Sequence, residues 1–242
     1  MELTDAVIVG VPETLTGSSV RAFRAALQQA VAETGARVVV LRGKETGVFC
    51  RGMDFGAVSN GDESADAIEE FALCLSVIRM APKPVLSFVE GEAIGGGVGV
   101  AAAADGVLAT LDATFTLPEL LFGLAPAIVL PYLAERLTPQ KLRWISLSSE
   151  RLDAQSALRL GLIDRVEPAD RCHATLRSWI ARLARVRSDA VAIWKRTTLA
   201  LPAPGSAEGA RQTIDRMRNP IVRERLRRFI DTGEPPWTAE DR

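Results

Sequence analysis

Cysteine and histidine are scarce: the 242 residues contain three cysteines and a single histidine. Cys50, Cys74 and Cys172 are odd in number, far apart and without CxxC spacing. That pattern argues against a disulfide framework and against a zinc site, and it suits a reducing cytoplasm. His173 lies in a stretch with late-helix character, so Ser/His or Cys/His nucleophilic chemistry would have to rest on a residue expected at the surface. Excess charge is also lacking. A formal net charge of -1 gives no global reason to bind nucleic acid or an anionic membrane. The start, MELTDAVIVG, lacks a basic region followed by a long apolar run, and no apolar stretch is long enough to span a bilayer, so a soluble protein is expected.

Apolar periodicity, by contrast, is plentiful. With 48% hydrophobic residues the chain can bury a full core. Ala6 to Val11 is a β-branched run and Ser18 to Val31 shows helical spacing. Arg37 to Leu41, the short run Val48 to Cys50, and a helix over Asp66 to Met80 repeat the theme. Pro84 to Val89 reads as a strand, Gly95 to Gly97 open an alanine- and valine-rich helix, and Gly106 to Thr110 and Thr114 to Thr116 read as short strands. Strands alternating with helices predict an α/β core with parallel pairing by right-handed crossovers, its sheet covered on both sides.

After Pro118 the pattern turns helical, over Ala125 to Arg136, Pro139 to Leu147, Asp153 to Leu160, Arg171 to Val186 and Asp189 to Ala200, with only Leu162 to Val166 extended. The Pro- and Gly-bearing stretch Leu201 to Gly205 marks a boundary between residues 1–200 and a C-terminal helical segment, 201–242. That segment carries RQTIDRMRNPIVRERLRRF, with seven arginines; it reads as a solvated basic face or as a contact for phosphate or an acidic carrier protein.

Chemistry concentrates in two glycine-bearing turns, VFCRGMDF at 48–55 and EGEAIGGGVG at 90–99, each following apolar strand residues. Glycine lets a backbone approach a ligand closely, and the unpaired N–H groups at a helix start favour developing negative charge. Two such turns facing one another would make an oxyanion hole. A lone carboxylate, Glu119, follows in TLPELLFG; desolvation among leucines and phenylalanine would raise its pKa towards a range useful for general acid/base work. Its bland alternative is a helix-start residue after Pro118, and Pro118 itself is given no role.

These three motifs, in this order and spacing from about Ala6 to Pro236, closely resemble the crotonase, or enoyl-CoA hydratase/isomerase, superfamily. The resemblance implies a spiral of ββα turns with a helical C-terminal part that builds trimers or dimers of trimers. It implies that the N–H groups of Met53 and Gly96 hold a thioester oxygen and that Glu119 is the catalytic acid/base. Cys50, Arg51, Asp54, Gly95, Gly97, Gly99 and Phe122 are the accompanying substrate-binding candidates. In hydratases with two glutamates a carboxylate stands where this chain has Gly99; a glycine there implies room near the β-carbon for a branched substrate. Lys83, Arg51 and Lys195 are candidates for a pantetheine-linked phosphate.

The run LPELLFGLAPAIVLPYLAERL, with FCRGMDF and FIDTGEPPW, is similar to the crotonase-like dehydratases of polyketide β-branching cassettes. That narrower resemblance implies dehydration of a 3-hydroxy-3-methylglutaryl-type thioester on acyl carrier protein to a 3-methylglutaconyl-type product, with no cofactor beyond the phosphopantetheine or CoA that carries the substrate. Decarboxylation or isomerisation of a related thioester, and a silent thioester-binding protein, remain the alternatives.

Overall fold

The computed structural model describes residues 5–54, 63–122 and 124–199, together with the single positions Pro220 and Thr232. The expected C-terminal unit, 201–242, therefore lies outside the described residues apart from those two positions.

The strands divide between two sheets. β1 (Ala6–Val11), β2 (Val38–Gly43), β4 (Val85–Val89), β6 (Gly106–Thr110) and β9 (Arg165–Glu167) form a five-stranded sheet in the order β1-β2-β4-β6-β9. Every neighbouring pair in it is parallel. β3 (Val48–Cys50), β5 (Glu92–Ile94), β7 (Thr114–Thr116) and β8 (Leu152–Asp153) form the second, with β3-β5-β7 parallel and β8 antiparallel at its edge. From β2 to β7 each turn of the chain thus lays one strand in the large sheet, the next in the small sheet, and then a helix or 3-10 turn. After β3 comes α2 (Glu63–Met80), after β5 comes α3 (Gly96–Ala102), and after β7 comes a 3-10 turn (Glu119–Phe122). This is the ββα spiral that the resemblance implies.

Successive side chains of a strand point to opposite faces, and the core divides accordingly. Val39 and Leu41 of β2 join the main core with Phe71, Leu75, Val89, Val107 and α1 (Gly17–Ala32). Val38 and Val40, with Leu86, Phe88 and Leu108, face the other way onto Leu176 and Ile180 of α7 (Ala169–Leu183). The large sheet is covered on both sides, as its continuous apolar strands predict. The helix α1 starts at a capping box in which Thr16 and Ser19 exchange side-chain bonds with each other's backbone.

The helical expectation over Ala125 to Arg136 is met only by α4 (Leu130–Ala134). Pro126 starts a turn whose carbonyl accepts from Val129 N–H at 3.0 Å and from Leu130 N–H at 3.1 Å, so the chain becomes helical only after Val129. The helices α5 (Pro139–Ser148), α6 (Ala154–Leu160) and α8 (Ser188–Leu199) complete the described chain. The strands β5 and β8 are too short to stand out from turn-like sequence, and the extended stretch near Leu162 proves to be β9, displaced to Arg165–Glu167.

Candidate active site

Parallel pairing of β3 with β5 makes both strands end side by side, which brings the two glycine turns into contact. Gly52 has φ +80°, and a Cβ there would lie 2.8 Å from Ile94 O and 3.1 Å from Gly96 N. A Cβ at Gly97 would lie 2.1 Å from Cys50 O. Only glycine allows these backbones to approach so closely. A third strand of chain braces the first turn: Leu15 N–H donates to Gly52 O at 2.8 Å, and Asp54 N–H donates to Leu15 O at 3.1 Å. This parallel bridge uses the groups flanking Met53, so the Met53 N–H faces the opposite side. Gly96 is the first residue of α3 and its N–H has no intrahelical acceptor. Neither N–H has a hydrogen-bond acceptor among the described residues.

Both donors border a cavity of about 200 Å³. Its walls are largely apolar, from Met53, Ile68 and Phe71 to Leu124, Ile128 and Val129, and among the described residues its charged lining residues are Arg51 and Glu119. Glu119 opens the 3-10 turn and leans over the second glycine turn, with Oε1 3.1 Å from where a Cβ of Gly95 would stand. Its Oε2 is buried without a hydrogen-bond partner among the described residues. Burial pushes the Glu119 carboxyl above the ordinary carboxylate range, opposed only in part by a backbone hydrogen bond. The desolvation has a different source from the one its neighbours suggest. Leu121 and Phe122 are 71% and 63% exposed, and the apolar surroundings are the cavity walls contributed by other elements.

The sequence candidates separate accordingly. Met53, Gly95, Gly96, Arg51 and Glu119 meet at the cavity. Phe122 is a correction: it is 63% exposed and lies off the cavity wall that Glu119 joins. Cys50 and Gly97 are fully buried beneath the turn and hold its two halves together instead of lining the cavity. The Cys50 thiol is pushed up by burial to about 12, which leaves it inert. Asp54 does not line the cavity, and its N–H belongs to the bracing bridge. Arg51 is held by Glu13 at 2.9 Å and by Glu92 at 3.4 Å.

Two phosphate candidates are also corrected. Lys83 is buried and its ammonium donates to the carbonyls of Ala30 and Glu33 at the end of α1. Lys195 is buried, paired with Asp105 at 2.7 Å and bonded to Lys83 O at 3.2 Å. His173 packs edge-on against Phe88, with ring centroids 5.8 Å apart, on the α7 side of the large sheet.

The room expected at Gly99 is filled. A Cβ on Gly99 would lie 2.2 Å from Val129 Cγ1 and 2.8 Å from Val129 Cβ. Val129 is the site residue that the sequence reading missed, together with Ile68, Phe71, Leu124 and Ile128. A glycine inside a helix hints at close approach by another element, but does not say which.

Among the described residues no group of His, Cys, Asp and Glu could hold a metal ion, and no helix is long and apolar enough to cross a membrane.

Comparison with known proteins gives the chain's family. Residues 12–240 match the family model for enoyl-CoA hydratase/isomerase. The chain is 32% identical over 209 residues to the bacillaene synthase dehydratase PksH of Bacillus subtilis, covering 83% of this chain and 79% of that protein. It superposes on Pseudomonas aeruginosa AtuE with a TM-score of 0.85 at 28% identity, covering 98% and 97% of the two chains. It superposes on the human enoyl Coenzyme A hydratase domain-containing protein 3 with a TM-score of 0.87 at 20% identity, over 98% of each chain, a likeness of fold. The chain belongs to the enoyl-CoA hydratase/isomerase, or crotonase, family, and is an enzyme of its hydratase/dehydratase-like lyase kind.

Proposed function

We propose that the enzyme dehydrates a branched 3-hydroxyacyl thioester of the 3-hydroxy-3-methylglutaryl type, carried on acyl carrier protein, to a 3-methylglutaconyl-type enoyl thioester. The observation that carries this reading is the convergence on a single apolar cavity of a carboxyl whose buried Oε2 has no partner among the described residues and two N–H groups without acceptors among them. The similarity to a dehydratase of bacillaene synthase supports dehydration as the reaction.

In this mechanism the Met53 and Gly96 N–H groups receive the thioester oxygen and stabilise the enolate formed when the α-proton leaves. One such donor is worth roughly 3 kcal/mol of barrier. Glu119 takes the α-proton and returns it to the departing β-hydroxyl. The α-C–H and β-C–O bonds break, the C=C bond forms, and water leaves. The step is redox-neutral, so the reading assigns no cofactor beyond the tether, phosphopantetheine or CoA. A soluble cytoplasmic enzyme assembled as a trimer or a dimer of trimers completes the proposal.

Intact-protein mass spectrometry of carrier-bound substrates tests it. The proposal expects the hydroxymethylglutaryl carrier to lose the mass of one water. If that carrier is unchanged while a methylglutaconyl carrier loses carbon dioxide, the enzyme is a decarboxylase and the assignment is wrong.

A further inference from the structure

We infer that Val129 is a specificity-determining residue: it supplies the side chain that Gly99 lacks, and its methyl groups set the size of the substituent accepted on the β-carbon of the acyl chain. The inference rests on the proposed thioester site and deepens it. Gly99 follows Gly96 by three residues in α3, so the two lie on one face of the helix, about 4.5 Å apart along its axis. With the thioester oxygen at the Gly96 N–H, that offset is comparable to the span from the oxygen to the groups carried by the β-carbon. The direction a side chain at position 99 would take is occupied by Val129, whose Cγ1 lies 2.2 Å from the would-be Cβ.

Val129 is 3% exposed and borders the cavity, whereas Gly99 is buried behind it. The β-carbon therefore meets methyl groups that reach it from the segment before α4. The backbone explains why this valine is well placed. The carbonyl of Pro126 accepts from both Val129 and Leu130, and the carbonyl of Val129 accepts from Leu133 at 3.1 Å, so its Cα is fixed by the turn on one side and the helix on the other.

An apolar wall of this kind rewards an apolar branch and excludes larger groups. One methylene in a hydrophobic pocket discriminates by about 10- to 200-fold. It also puts methyl groups where a second carboxylate would stand, which leaves Glu119 as the one carboxylate lining the cavity among the described residues.

The test is equilibrium binding of two non-reacting probes, butyryl-CoA and 3-methylbutyryl-CoA, to the full chain and its variants. The unsubstituted protein is expected to bind the branched probe about tenfold more tightly. Val129→Ala is expected to bring the two probes to within about threefold. Val129→Leu is expected to weaken the branched probe selectively. Equal weakening of both probes in every variant, or an unchanged preference in Val129→Ala, overturns the inference. Because the readout is binding, a failed dehydration assay with the branched preference intact counts against the proposed reaction and not against Val129. The double variant Gly99→Ala/Val129→Gly guards against simple misfolding. It removes both close contacts, leaving Leu75 Cδ1 at 3.8 Å, so it is expected to unfold at a higher temperature than Gly99→Ala alone.

Discussion

Two cavities in this molecule contrast in size and in how their charges are arranged. The larger, about 540 Å³, is bordered by Arg79, Glu135, Arg136, Asp164, Asp105 and Lys195. Its charges are partnered: Arg79 with Glu135, Arg136 with Asp164 at 2.9 Å, and Lys195 with Asp105 at 2.7 Å. The smaller, about 200 Å³, holds Glu119 with one buried oxygen unpartnered among the described residues. Desolvation pushes the carboxyls of both Asp105 and Glu119 upward. Lys195 and the Val85 N–H oppose the rise at Asp105, whereas only a backbone bond opposes it at Glu119. A partnered carboxylate stabilises a fold, while an unpartnered one in an apolar wall costs stability and is available for chemistry. Size alone favours the larger cavity; the unpartnered Glu119 oxygen favours the smaller.

Exchanging the two acids for their amides separates these roles most sharply. Glu119→Gln is expected to lower kcat/KM for dehydration by about 10²- to 10⁴-fold with the fold retained, whereas Asp105→Asn leaves turnover within about twofold. Steady-state kinetics with circular dichroism checks both. In the opposite column, Asp105→Asn leaves the buried Lys195 ammonium without its counter-charge and is expected to cost about 2 kcal/mol in urea denaturation.

Closing the gap between the two glycine turns has a comparable cost: Gly97→Ala, whose Cβ would lie 2.1 Å from Cys50 O, is expected to lose about 3 kcal/mol, read as a lowered denaturation midpoint.

The smallest effect is in the pH dependence of stability. Because the folded Glu119 holds its proton to higher pH than the unfolded chain, the native state binds more protons between the two pKa values, and stability falls as pH rises through that window. Glu119→Gln lacks this loss. Its melting temperature is expected to equal that of the unsubstituted protein below about pH 4 and to exceed it slightly at neutral pH, measured by calorimetry.

The parts of the site legible in the sequence are those whose chemistry is local. Gly52, Gly96 and Gly97 announce a close backbone approach, and a carboxylate set among apolar residues announces a shifted proton affinity; the structure brings these together. Phe122 misled because apolar composition does not tell a residue that lines a cavity from one left exposed at the surface. Lys83 and Lys195 looked like free cations because their partners, the end of α1 and Asp105, are remote in sequence. Gly99 misled most usefully. Its missing side chain was visible, but the valine that replaces it comes from another segment, and a single glycine carries no record of what packs on it. The ββα repeat was legible in outline, while its division between two sheets depends on strands as short as β5 and β8.

The central claim is that Glu119 moves a proton with an affinity raised by its apolar surroundings. The pH dependence of kcat/KM for dehydration tests it most directly, measured on the unsubstituted enzyme and on the residual activity of Glu119→Gln. The account predicts an ionisation above the ordinary carboxylate range in the former and its disappearance in the latter. The same ionisation in both proteins would contradict it.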